Sequence, residues 1–431
     1  FAPAERLKLI VIDEEHETSF KQDTAPRYHA RDVAMVRARD LGIPVILGSA
    51  TPSLESKNNC QTHEHYTEVR LTKRVRDWPM PPVEVVDLKK VSTERKGFHA
   101  LGISLENAIR QAMDQQEQVI LFLNRRGFST YVFCPSCGYV HRCNNCDVAM
   151  TYHRAENLSR CHYCDTVVEP PEKCPACSSP AMNFFGLGTE RLEEEVKRKF
   201  ELARVARMDS DTMRVRGAHN AVLSAVRDRQ VDILIGTQMI AKGLDFPNVT
   251  LVGVINADVS MNLPDFRASE RTFQLISQVA GRAGRGPKGG RIIVQTFNPD
   301  HPAVLCAARH DYEAFAAEEL GHRRKFGYPP FVRLARVVVR GDDEAKVRER
   351  ADEIGRQLRD AAAKVEPGPI HVLGPAVCPI SRINRQFRYQ LLVKAPQARS
   401  IIALFDGLRE SLSAQTAELA AIVDIDPVST L

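Results

Sequence analysis

Runs of apolar residues alternate along the chain with amphipathic segments, and this alternation predicts an α/β fold. Two apolar runs come first, over residues 7–16 and 43–52. Each is rich in Val, Leu and Ile and ends in polar residues, which indicates a buried parallel strand with polar side chains at its carboxyl end. Ligands of open α/β sheets bind at that end. We therefore predict a first α/β segment over residues 1–78, with candidate chemistry after each strand.

A second α/β segment follows a charged, proline-containing connector at residues 79–100. The same pattern predicts four strands and two helices in it, over residues 118–123, 231–235, 249–255 and 290–296 and over residues 188–200 and 267–283. Strands that alternate with helices in this way are typical of a parallel sheet covered by helices. We assign residues 101–300 to this second domain.

The pattern changes from about residue 331, after a predicted linker at residues 301–330. Strand-like and helix-like segments then follow in βαββαβ order, over residues 332–340, 344–363, a short strand near His371, 389–394, 397–413 and 419–425. This order predicts a small ferredoxin-like α+β domain over residues 331–431.

Eight of the eleven cysteines form four CxxC pairs that interrupt the second domain over residues 134–177. They are Cys134 and Cys137, Cys143 and Cys146, Cys161 and Cys164, and Cys174 and Cys177. A CxxC pair places two thiolates on one tight turn, which is half of a tetrahedral zinc site, so four pairs predict two structural Zn²⁺ ions. The spacing favours zinc over the disulfides of a secreted protein, and a reducing, cytoplasmic compartment follows.

The pairing of these cysteines has two solutions. Two strand-like runs lie between the second and third pairs, which suits a ribbon with nested sites, the inner one made of Cys143, Cys146, Cys161 and Cys164 and the outer one of Cys134, Cys137, Cys174 and Cys177. Sequential pairing, first with second and third with fourth, is the alternative. Eight thiolates complete two sites, so we expect no ligand role for the nearby histidines His141, His153 and His162.

The composition is that of an ordinary soluble globular protein, with 43% hydrophobic and 26% charged residues among 431. No run of 18 apolar residues occurs, so no membrane span is expected. The net charge of +5 is too mild to indicate nucleic acid by itself. Its distribution is more informative, because one C-terminal run interleaves arginines with aromatic residues, at Arg382, Arg385, Phe387, Arg388 and Tyr389.

Four short motifs carry candidate phosphate chemistry. They are DEEH at residues 13–16, GSATP at 48–52, GTQMIAKGLD at 236–245 and QVAGRAGR at 278–285. Adjacent carboxylates at a strand end can hold Mg²⁺ through water and activate an attacking water, although a lone acidic strand end is more often simply solvated. Arg282 and Arg285 share one helical face, which suits a triphosphate held across a cleft.

In this order the four motifs resemble motifs II, III, V and VI of superfamily 2 helicases. That resemblance implies two RecA-like lobes with ATP and Mg²⁺ in the cleft between them. The implied catalytic residues are Asp13 for Mg²⁺, Glu14 for water activation, His16, Thr51 for coupling between lobes, Gln278 for the γ-phosphate, and Arg282 and Arg285 as arginine fingers. The implied nucleotide-binding residues are Gly243, Asp245, Gln278, Arg282 and Arg285.

One motif of that superfamily, the GxxxxGK[ST] phosphate loop, does not occur in the sequence. In those helicases the loop precedes the DExH strand, so we expect it to lie upstream of residue 1 and the chain to be an N-terminally truncated fragment. The alternative is a protein that never had the loop. Without the lysine of that loop, residues 1–431 are expected to hydrolyse ATP poorly or not at all.

A helicase lobe interrupted by four CxxC pairs resembles the PriA (primosomal protein N′) family over essentially the whole chain. The matching segments are NRRG at residues 124–127, FGLGTE at 185–190, GTQMIAKG at 236–243 and DIDP at 424–427. The resemblance implies an ATP-dependent 3′→5′ DNA helicase that recognises stalled replication forks and initiates primosome assembly. The implied partners are forked and single-stranded DNA, single-stranded-DNA-binding protein and helicase-loading proteins, in the nucleoid region of the cytoplasm. The sequence leaves the oligomeric state open and is compatible with a monomeric motor. The alternative function is a non-catalytic, zinc-containing DNA-binding scaffold.

Two segments are candidate DNA contacts. Phe20, Lys21, Arg27 and Tyr28 follow the DExH motif and resemble the aromatic-rich loop that couples DNA binding to ATP hydrolysis in the family. The C-terminal candidates are Arg382, Arg385, Arg388 and Tyr389, because aromatic faces stack bases and guanidinium groups contact phosphates. Ordinary packed or solvated side chains are the competing interpretation for both segments.

Overall fold

The computed structural model divides the chain into two units. The first unit comprises Phe1–Arg70, His162–Asp165 and Leu320–Leu431, and the second comprises Leu71–Cys161 and Thr166–Glu319. The residues that the structure describes are 4, 6–72, 79–94, 100–123, 131–134, 136–146, 148–153, 156–180, 183–184, 189–209, 218–237, 246–281, 288–413 and 419–430.

The strands in these ranges are β1 Ile10–Ile12, β2 Val45–Leu47, β3 Val83–Asp87, β4 Gln118–Phe122, β5 Val132–Phe133, β6 Thr151–His153, β7 Leu158–Arg160, β8 Val167–Val168, β9 Asn183–Phe184, β10 Val205–Met208, β11 Ile233–Gly236, β12 Val249–Val254, β13 Arg291–Thr296, β14 Arg333–Gly341, β15 His371–Ile383, β16 Gln386–Ala395 and β17 Leu419–Ile425. The helices are α1 Ala30–Leu41, α2 Leu54–Thr62, α3 Leu88–Glu94, α4 Ile103–Asp114, α5 Thr189–Lys199, α6 Ala218–Arg227, α7 Asp258–Met261, α8 Ala268–Ala280, α9 Pro302–Ala308, α10 Tyr312–Phe326, α11 Glu344–Ala362, α12 Ala398–Asp406 and α13 Arg409–Ser413. None of these helices combines the length and the apolar character that crossing a membrane requires.

The second unit is built on a parallel sheet of six strands in the order β10-β11-β4-β12-β13-β3. Hydrophobic clusters cover both faces of the sheet, and every residue of the central strand β4 is buried. The covering helices are amphipathic. In α5, Leu192 and Val196 face the core, while Glu193 and Lys197 form an ion pair of 2.8 Å on the outer face. The predicted α/β domain is therefore confirmed as a parallel sheet with helices on both faces.

The predicted boundaries of this domain were wrong at both ends. The connector at residues 79–100 contributes β3, which pairs with β13 at the edge of the sheet. The linker at residues 301–330 contains α9 and α10, and Phe315 of α10 stacks on Phe273 of α8 with ring centroids 4.3 Å apart. The prolines of this segment led to its assignment as a connector. They lie before β3 and do not interrupt it, so the strand can still form. Strand β10 and helix α6 were also missed.

The C-terminal part of the first unit has the predicted βαββαβ order. Its antiparallel sheet has the strand order β15-β16-β14-β17 and packs against α11 and α12 through one hydrophobic cluster. Helix α11 begins at Asp343, whose carboxylate accepts hydrogen bonds from the N–H groups of Ala345 and Lys346. Strand β15 is longer than the short strand predicted near His371, because it continues along β16 as a hairpin.

The N-terminal part of the first unit is a two-stranded parallel sheet with α1 and α2. Strand β1 pairs with β2 in the register Val11 with Ile46, and α1 ends at Gly42 with a left-handed φ of +62°. The prediction that these two strands are buried was wrong for part of their residues. Val11 is 60% exposed and Ile46 is 51% exposed, so one face of this pair of strands is open.

Candidate metal centres and motor site

The eight cysteines of the CxxC pairs gather into two groups of four. The outer group is Cys134, Cys137, Cys174 and Cys177, and the inner group is Cys143, Cys146, Cys161 and Cys164. Within each group all Sγ atoms lie within 4.8 Å of one another. The nested pairing is thereby confirmed, and the sequential alternative is wrong.

The donor geometry fits a tetrahedral zinc ion. A Zn–S bond of about 2.3 Å places the sulfurs of such a site roughly 3.8 Å apart. In the outer group, Cys134 Sγ lies 3.6 Å from Cys177 Sγ, and Cys137 Sγ lies 3.5 Å from Cys174 Sγ. Four thiolates leave no open coordination position, which is the signature of a structural rather than a catalytic zinc.

All four CxxC turns close in the same way. The N–H of the first cysteine donates to the carbonyl five residues later, at 2.8 to 2.9 Å, in the pairs Cys134–Tyr139, Cys143–Val148, Cys161–Thr166 and Cys174–Ser179. In the inner group the pKa of the Cys143 thiol lies well below its usual value, because the thiols of Cys146 and Cys161 hydrogen-bond to it. The thiolate is the form that binds a metal ion, so these hydrogen bonds favour the ligand form of Cys143 itself.

The outer site is held against the sheet of the second unit at a glycine. Gly138 has a φ of +77°, and a Cβ atom there would lie 2.5 Å from the carbonyl oxygen of Phe297, just after β13. The ring of Phe133, next to Cys134, packs on the ring of Phe297 with centroids 5.2 Å apart. Only glycine fits this turn without displacing the backbone that it touches.

Gly138→Ala is expected to weaken the outer zinc site. The left-handed conformation costs an alanine about 1–2 kcal/mol, and overpacking against a carbonyl adds about 1–3 kcal/mol. The matched control is Gly289→Ala, because Gly289 has a φ of +70° but no atom within 4 Å of the added Cβ. Zinc release to a colorimetric chelator and the melting temperature measure the difference. Equal losses in the two variants would contradict the close contact with Phe297.

In the first unit, hydrogen bonds join the motifs that follow β1 and β2. The N–H of Glu15 donates to the carbonyl of Gly48 at 3.0 Å. His16 Nδ1 lies 2.7 Å from Ser49 Oγ, which also accepts a hydrogen bond from the N–H of Thr51 at 3.0 Å. His16 and Thr51, two predicted catalytic residues, therefore belong to one network.

Asp13 and Glu14 lie on the solvent-exposed side of the junction, which is the place where the segments after β1 and β2 are hydrogen-bonded to each other. Asp13 is exposed, and its Oδ1 accepts a hydrogen bond from the N–H of Glu14 at 2.9 Å. Glu14 has a φ of +49°, rare for a residue with a side chain, and its carboxylate is 38% exposed, 3.7 Å from His16 Nδ1. Both carboxylates are accessible at the carboxyl end of β1, where a metal ion and water could reach them.

Glu15 has a different role that sequence reasoning missed. Glu15 is only 1% exposed. Its carboxylate accepts hydrogen bonds from the Ser53 N–H at 2.6 Å, from Ser56 Oγ at 3.0 Å and from Arg31 Nη1 at 2.7 Å. Desolvation by burial is the largest single influence on the pKa of Arg31 and would lower it, but the charge and hydrogen bond of Glu15, with the charges of Asp32 and Glu55, together outweigh it and the pKa is raised. Glu15 thus ties the DEEH turn to α1 and to the start of α2.

Glu15→Gln is expected to destabilise the first unit strongly. The substitution removes the buried carboxylate that pairs with Arg31 and leaves that guanidinium paired only with the exposed carboxylate of Asp32 at 3.6 Å, and breaking a buried pair typically costs about 3–5 kcal/mol. Glu64→Gln is the control, because Glu64 is exposed and a surface change of this kind stays within about 0.5 kcal/mol. Thermal unfolding of the two variants measures the difference. A melting temperature for Glu15→Gln equal to that of the control would contradict the assigned role.

The predicted nucleotide-binding residues of the second unit fall mostly outside the described residues. Gly243, Asp245, Arg282 and Arg285 lie there. Gln278 is described, half-buried on α8 near the end of that helix.

The predicted DNA-binding loop after the DEEH motif is compact at its base. Lys21 and His29 form an antiparallel bridge, and the Gln22 N–H donates to the carbonyl of Tyr28 at 2.9 Å. Phe20, Arg27 and Tyr28 are half-buried, whereas Lys21 is buried. Burial and the neighbouring charge of Arg31 lower the pKa of His29 to about 4, so its ring is neutral at pH 7. Of the four predicted DNA contacts in this loop, Lys21 is the one that DNA could not reach.

The C-terminal candidates lie on the β15–β16 hairpin and separate into two groups. Arg382 and Arg385 are exposed at its tip, with the Arg382 guanidinium 4.7 Å from the centroid of the Phe387 ring. Arg388 is half-buried and donates to the carbonyl of Ile380 at 3.1 Å, and burial lowers its pKa. Tyr389 is 8% exposed within the hydrophobic core. The expectation that Tyr389 stacks on bases therefore conflicts with its position, because strand alternation turns it inward.

Three sequence models of known families match the chain. The model described as the C-terminal domain of primosomal protein N matches residues 324–428. The Cys-rich region domain of PriA DNA helicase matches residues 143–167, which contain the inner group of cysteines. The helicase conserved C-terminal domain matches residues 180–287.

Curated relatives extend this similarity along nearly the whole chain. The replication restart protein PriA of Bacillus subtilis (strain 168) is 44% identical over 427 residues, which are 99% of this chain and 52% of that protein. The protein of the same name from Haemophilus influenzae (strain ATCC 51907) is 39% identical over 99% of this chain and 57% of its own length. The chain thus spans about half the length of the curated relatives that it matches.

Solved structures overlap less well. Mss116p bound to single-stranded RNA and AMP-PNP gives a TM-score of 0.36 at 14% identity, over 70% of this chain and 45% of that one. RecG bound to a three-way DNA junction gives 0.33 at 12% identity, over 74% of this chain and 33% of that one. Overlaps of this size do not establish a shared overall arrangement.

Proposed function

We propose that the chain belongs to the PriA family of replication restart proteins and is part of an ATP-dependent 3′→5′ DNA helicase that acts at stalled replication forks. In this proposal the protein recognises forked and single-stranded DNA and initiates primosome assembly. The observation that carries the proposal is the identity of 44% over 427 residues, a span that contains both cysteine groups and the motor motifs of this chain. Residues 1–78 would belong to the first RecA-like lobe and the six-stranded sheet to the second.

The junction after β1 and β2 supports the motor part of the proposal. Asp13 would hold the Mg²⁺ that accompanies ATP, and Glu14 would orient the attacking water, because both carboxylates are open at the strand end. An Mg²⁺ ion held there would supply positive charge to offset the negative charge of the phosphates. The hydrogen-bonded series His16, Ser49 and Thr51 would transmit the state of this site to the segment after β2.

The second lobe would complete the nucleotide site with Gln278 on the γ-phosphate and with Arg282 and Arg285 as arginine fingers. Gly243 and Asp245 would contact the nucleotide from the preceding motif. These roles come from the helicase resemblance, and all but Gln278 fall on residues outside the described part of the chain.

The DNA-binding surfaces follow from exposure and charge. Phe20, Arg27 and Tyr28 would contact DNA from the loop after the DEEH motif, and Arg382 and Arg385 from the tip of the β15–β16 hairpin. Each has a half-buried or exposed side chain that can stack on a base or reach a phosphate. The two zinc ions would be structural, and single-stranded-DNA-binding protein and helicase-loading proteins would be the protein partners.

The test uses the full-length protein as its own gene encodes it. We expect hydrolysis of ATP that forked DNA stimulates, and separation of strands on substrates with a 3′ tail but not on those with only a 5′ tail. DNA binding and two zinc ions per chain without DNA-stimulated hydrolysis would overturn the motor and support the scaffold instead. Loss of both DNA binding and hydrolysis in a zinc-loaded protein would overturn both functions.

A further inference from the structure

Lys21 occupies a position that a DNA-binding lysine would not. Its side chain is 4% exposed, and Nζ lies 2.8 Å from Asp424 Oδ1 and donates a hydrogen bond to the carbonyl of Ile425 at 2.7 Å. Both partners belong to β17, the last strand of the C-terminal sheet. Because this ammonium is buried and paired with a carboxylate of the protein, its charge is not available to a DNA phosphate.

Lys21 also lies at the base of the loop that follows the DEEH motif. It follows the short 3₁₀ helix Thr18–Phe20, and its bridge with His29 closes the loop that carries Arg27 and Tyr28. The chain from Glu14 to Lys21 is tightly turned, because the Glu17 N–H donates to the carbonyl of Glu14 at 2.8 Å and the Lys21 N–H donates to the carbonyl of Thr18 at 3.1 Å. A displacement of Lys21 would therefore reach Glu14 through two consecutive turns.

A second ion pair joins the same two parts of the first unit. Glu55, in the first turn of α2 and four residues after Thr51, lies 3.6 Å from Nη1 of Arg323 on α10. Arg323 is fully buried and also donates to the carbonyl of Pro329 at 3.4 Å. Among the described residues, the segments after both motifs of the N-terminal part thus each have an ionic contact to residues 320–431.

We propose that Lys21 is a positioning residue that holds the loop after the DEEH motif on β17, so that DNA bound by the C-terminal domain changes ATP turnover through the Lys21–Asp424 pair. This inference rests on the proposed function, because it concerns how the motor responds to DNA. It replaces the prediction that Lys21 contacts DNA, since one ammonium buried against Asp424 cannot also neutralise a phosphate. Glu55 and Arg323 would form a parallel link for the segment after Thr51.

The test compares Asp424→Asn with Asp360→Asn in the full-length protein. Asp360 is an exposed aspartate of the same domain, on α11, so the chemical change is matched. ATP hydrolysis is measured against the concentration of forked DNA, which separates the maximal rate from the DNA concentration at half-maximal rate. We expect Asp424→Asn to lower the maximal stimulated rate about fivefold or more, with the half-saturating DNA concentration within about twofold of the wild-type value. Asp360→Asn should leave both values unchanged, and Asp424→Glu should restore part of the stimulated rate.

Lys21→Met and Lys21→Arg distinguish the two roles of the lysine. In the positioning role Lys21→Met reproduces Asp424→Asn, and Lys21→Arg, which keeps the charge, recovers stimulation. A higher half-saturating DNA concentration at an unchanged maximal rate would instead make Lys21 a DNA contact and overturn the proposal. Hydrogen exchange gives a readout independent of catalysis, with faster exchange expected for the amides of residues 20–29 in Asp424→Asn.

The experiment distinguishes a failure of the proposed function from a failure of the Lys21–Asp424 coupling. If the wild-type protein shows no DNA-stimulated hydrolysis, the proposed function is wrong, and the coupling falls with it even if exchange at residues 20–29 rises. If the wild-type protein is stimulated and Asp424→Asn behaves like Asp360→Asn, only the coupling is wrong. A general drop in melting temperature, with stimulated and unstimulated rates lowered equally, would reduce the pair to a structural contact and also overturn the proposal.

Discussion

Removal of zinc is expected to unfold residues 134–177 while the two main sheets persist. Structural zinc sites contribute about 10–16 kcal/mol of binding free energy, which is folding free energy for the segment that they hold. The strands of this segment, β6 to β8, have two or three residues each and cannot be stable alone. Hydrogen exchange after treatment with a chelator should show loss of protection in this segment and retention of protection in β4, β12 and β14. Unchanged protection of residues 134–177 without metal would contradict a zinc-dependent fold.

Paired substitutions test which cysteines share an ion. Cys134→Ser with Cys174→Ser removes two ligands of the outer group, so the protein should keep one zinc ion in native mass spectrometry. Cys134→Ser with Cys143→Ser removes one ligand from each group and should lower the affinity of both sites. Sequential pairing gives the reverse result for the two double variants. The unsubstituted chain, with two ions, is the reference for both.

The zinc sites could be predicted from sequence because their information is local. Each CxxC pair forms its own turn, closed by a hydrogen bond from the first cysteine to a carbonyl five residues later. Strand β17 and helix α11 were predicted nearly to the residue for a similar reason, since their apolar periods of two and 3.6 lie within one segment. Strand β3 was missed because it is an edge strand after prolines, and only its pairing with β13 makes it part of the sheet.

Side-chain roles were harder to predict because long polar residues have several uses. Lys21 and Tyr389 fitted a DNA-binding composition, but tertiary contacts place the first on Asp424 and the second in the core. Glu15 differs from Glu14 by one position in the sequence, yet it is 1% exposed because the turn after β1 directs it toward Arg31 and Ser53. The order of residues along a turn does not indicate which side of the turn is covered by a helix from elsewhere in the chain.

Glu14→Gln is expected to abolish most ATP hydrolysis in the full-length protein without unfolding it. A carboxylate that accepts a proton from or orients the attacking water contributes on the order of 10²–10⁴ in rate, and glutamine keeps the size of the side chain but removes its basicity. Glu14 is 38% exposed, so the substitution should change stability by no more than about 0.5 kcal/mol. The turnover number falls, while zinc content, the melting temperature and DNA affinity stay near their wild-type values.

The comparison of Glu14→Gln with Glu15→Gln separates chemistry from folding at adjacent positions. Glu15→Gln should lower the melting temperature through loss of the Arg31 ion pair, and any loss of hydrolysis should follow that destabilisation and recover at lower temperature. Glu14→Gln should lose hydrolysis at every temperature at which the protein is folded, because in the proposed role the missing group would act on water rather than on the fold. If Glu14→Gln hydrolyses ATP at the wild-type rate, the water-activating role belongs to another residue. If instead both variants lose stability and activity together, Asp13–His16 acts as one structural unit. The assignment of catalysis to Glu14 and of folding stability to Glu15 would then be wrong.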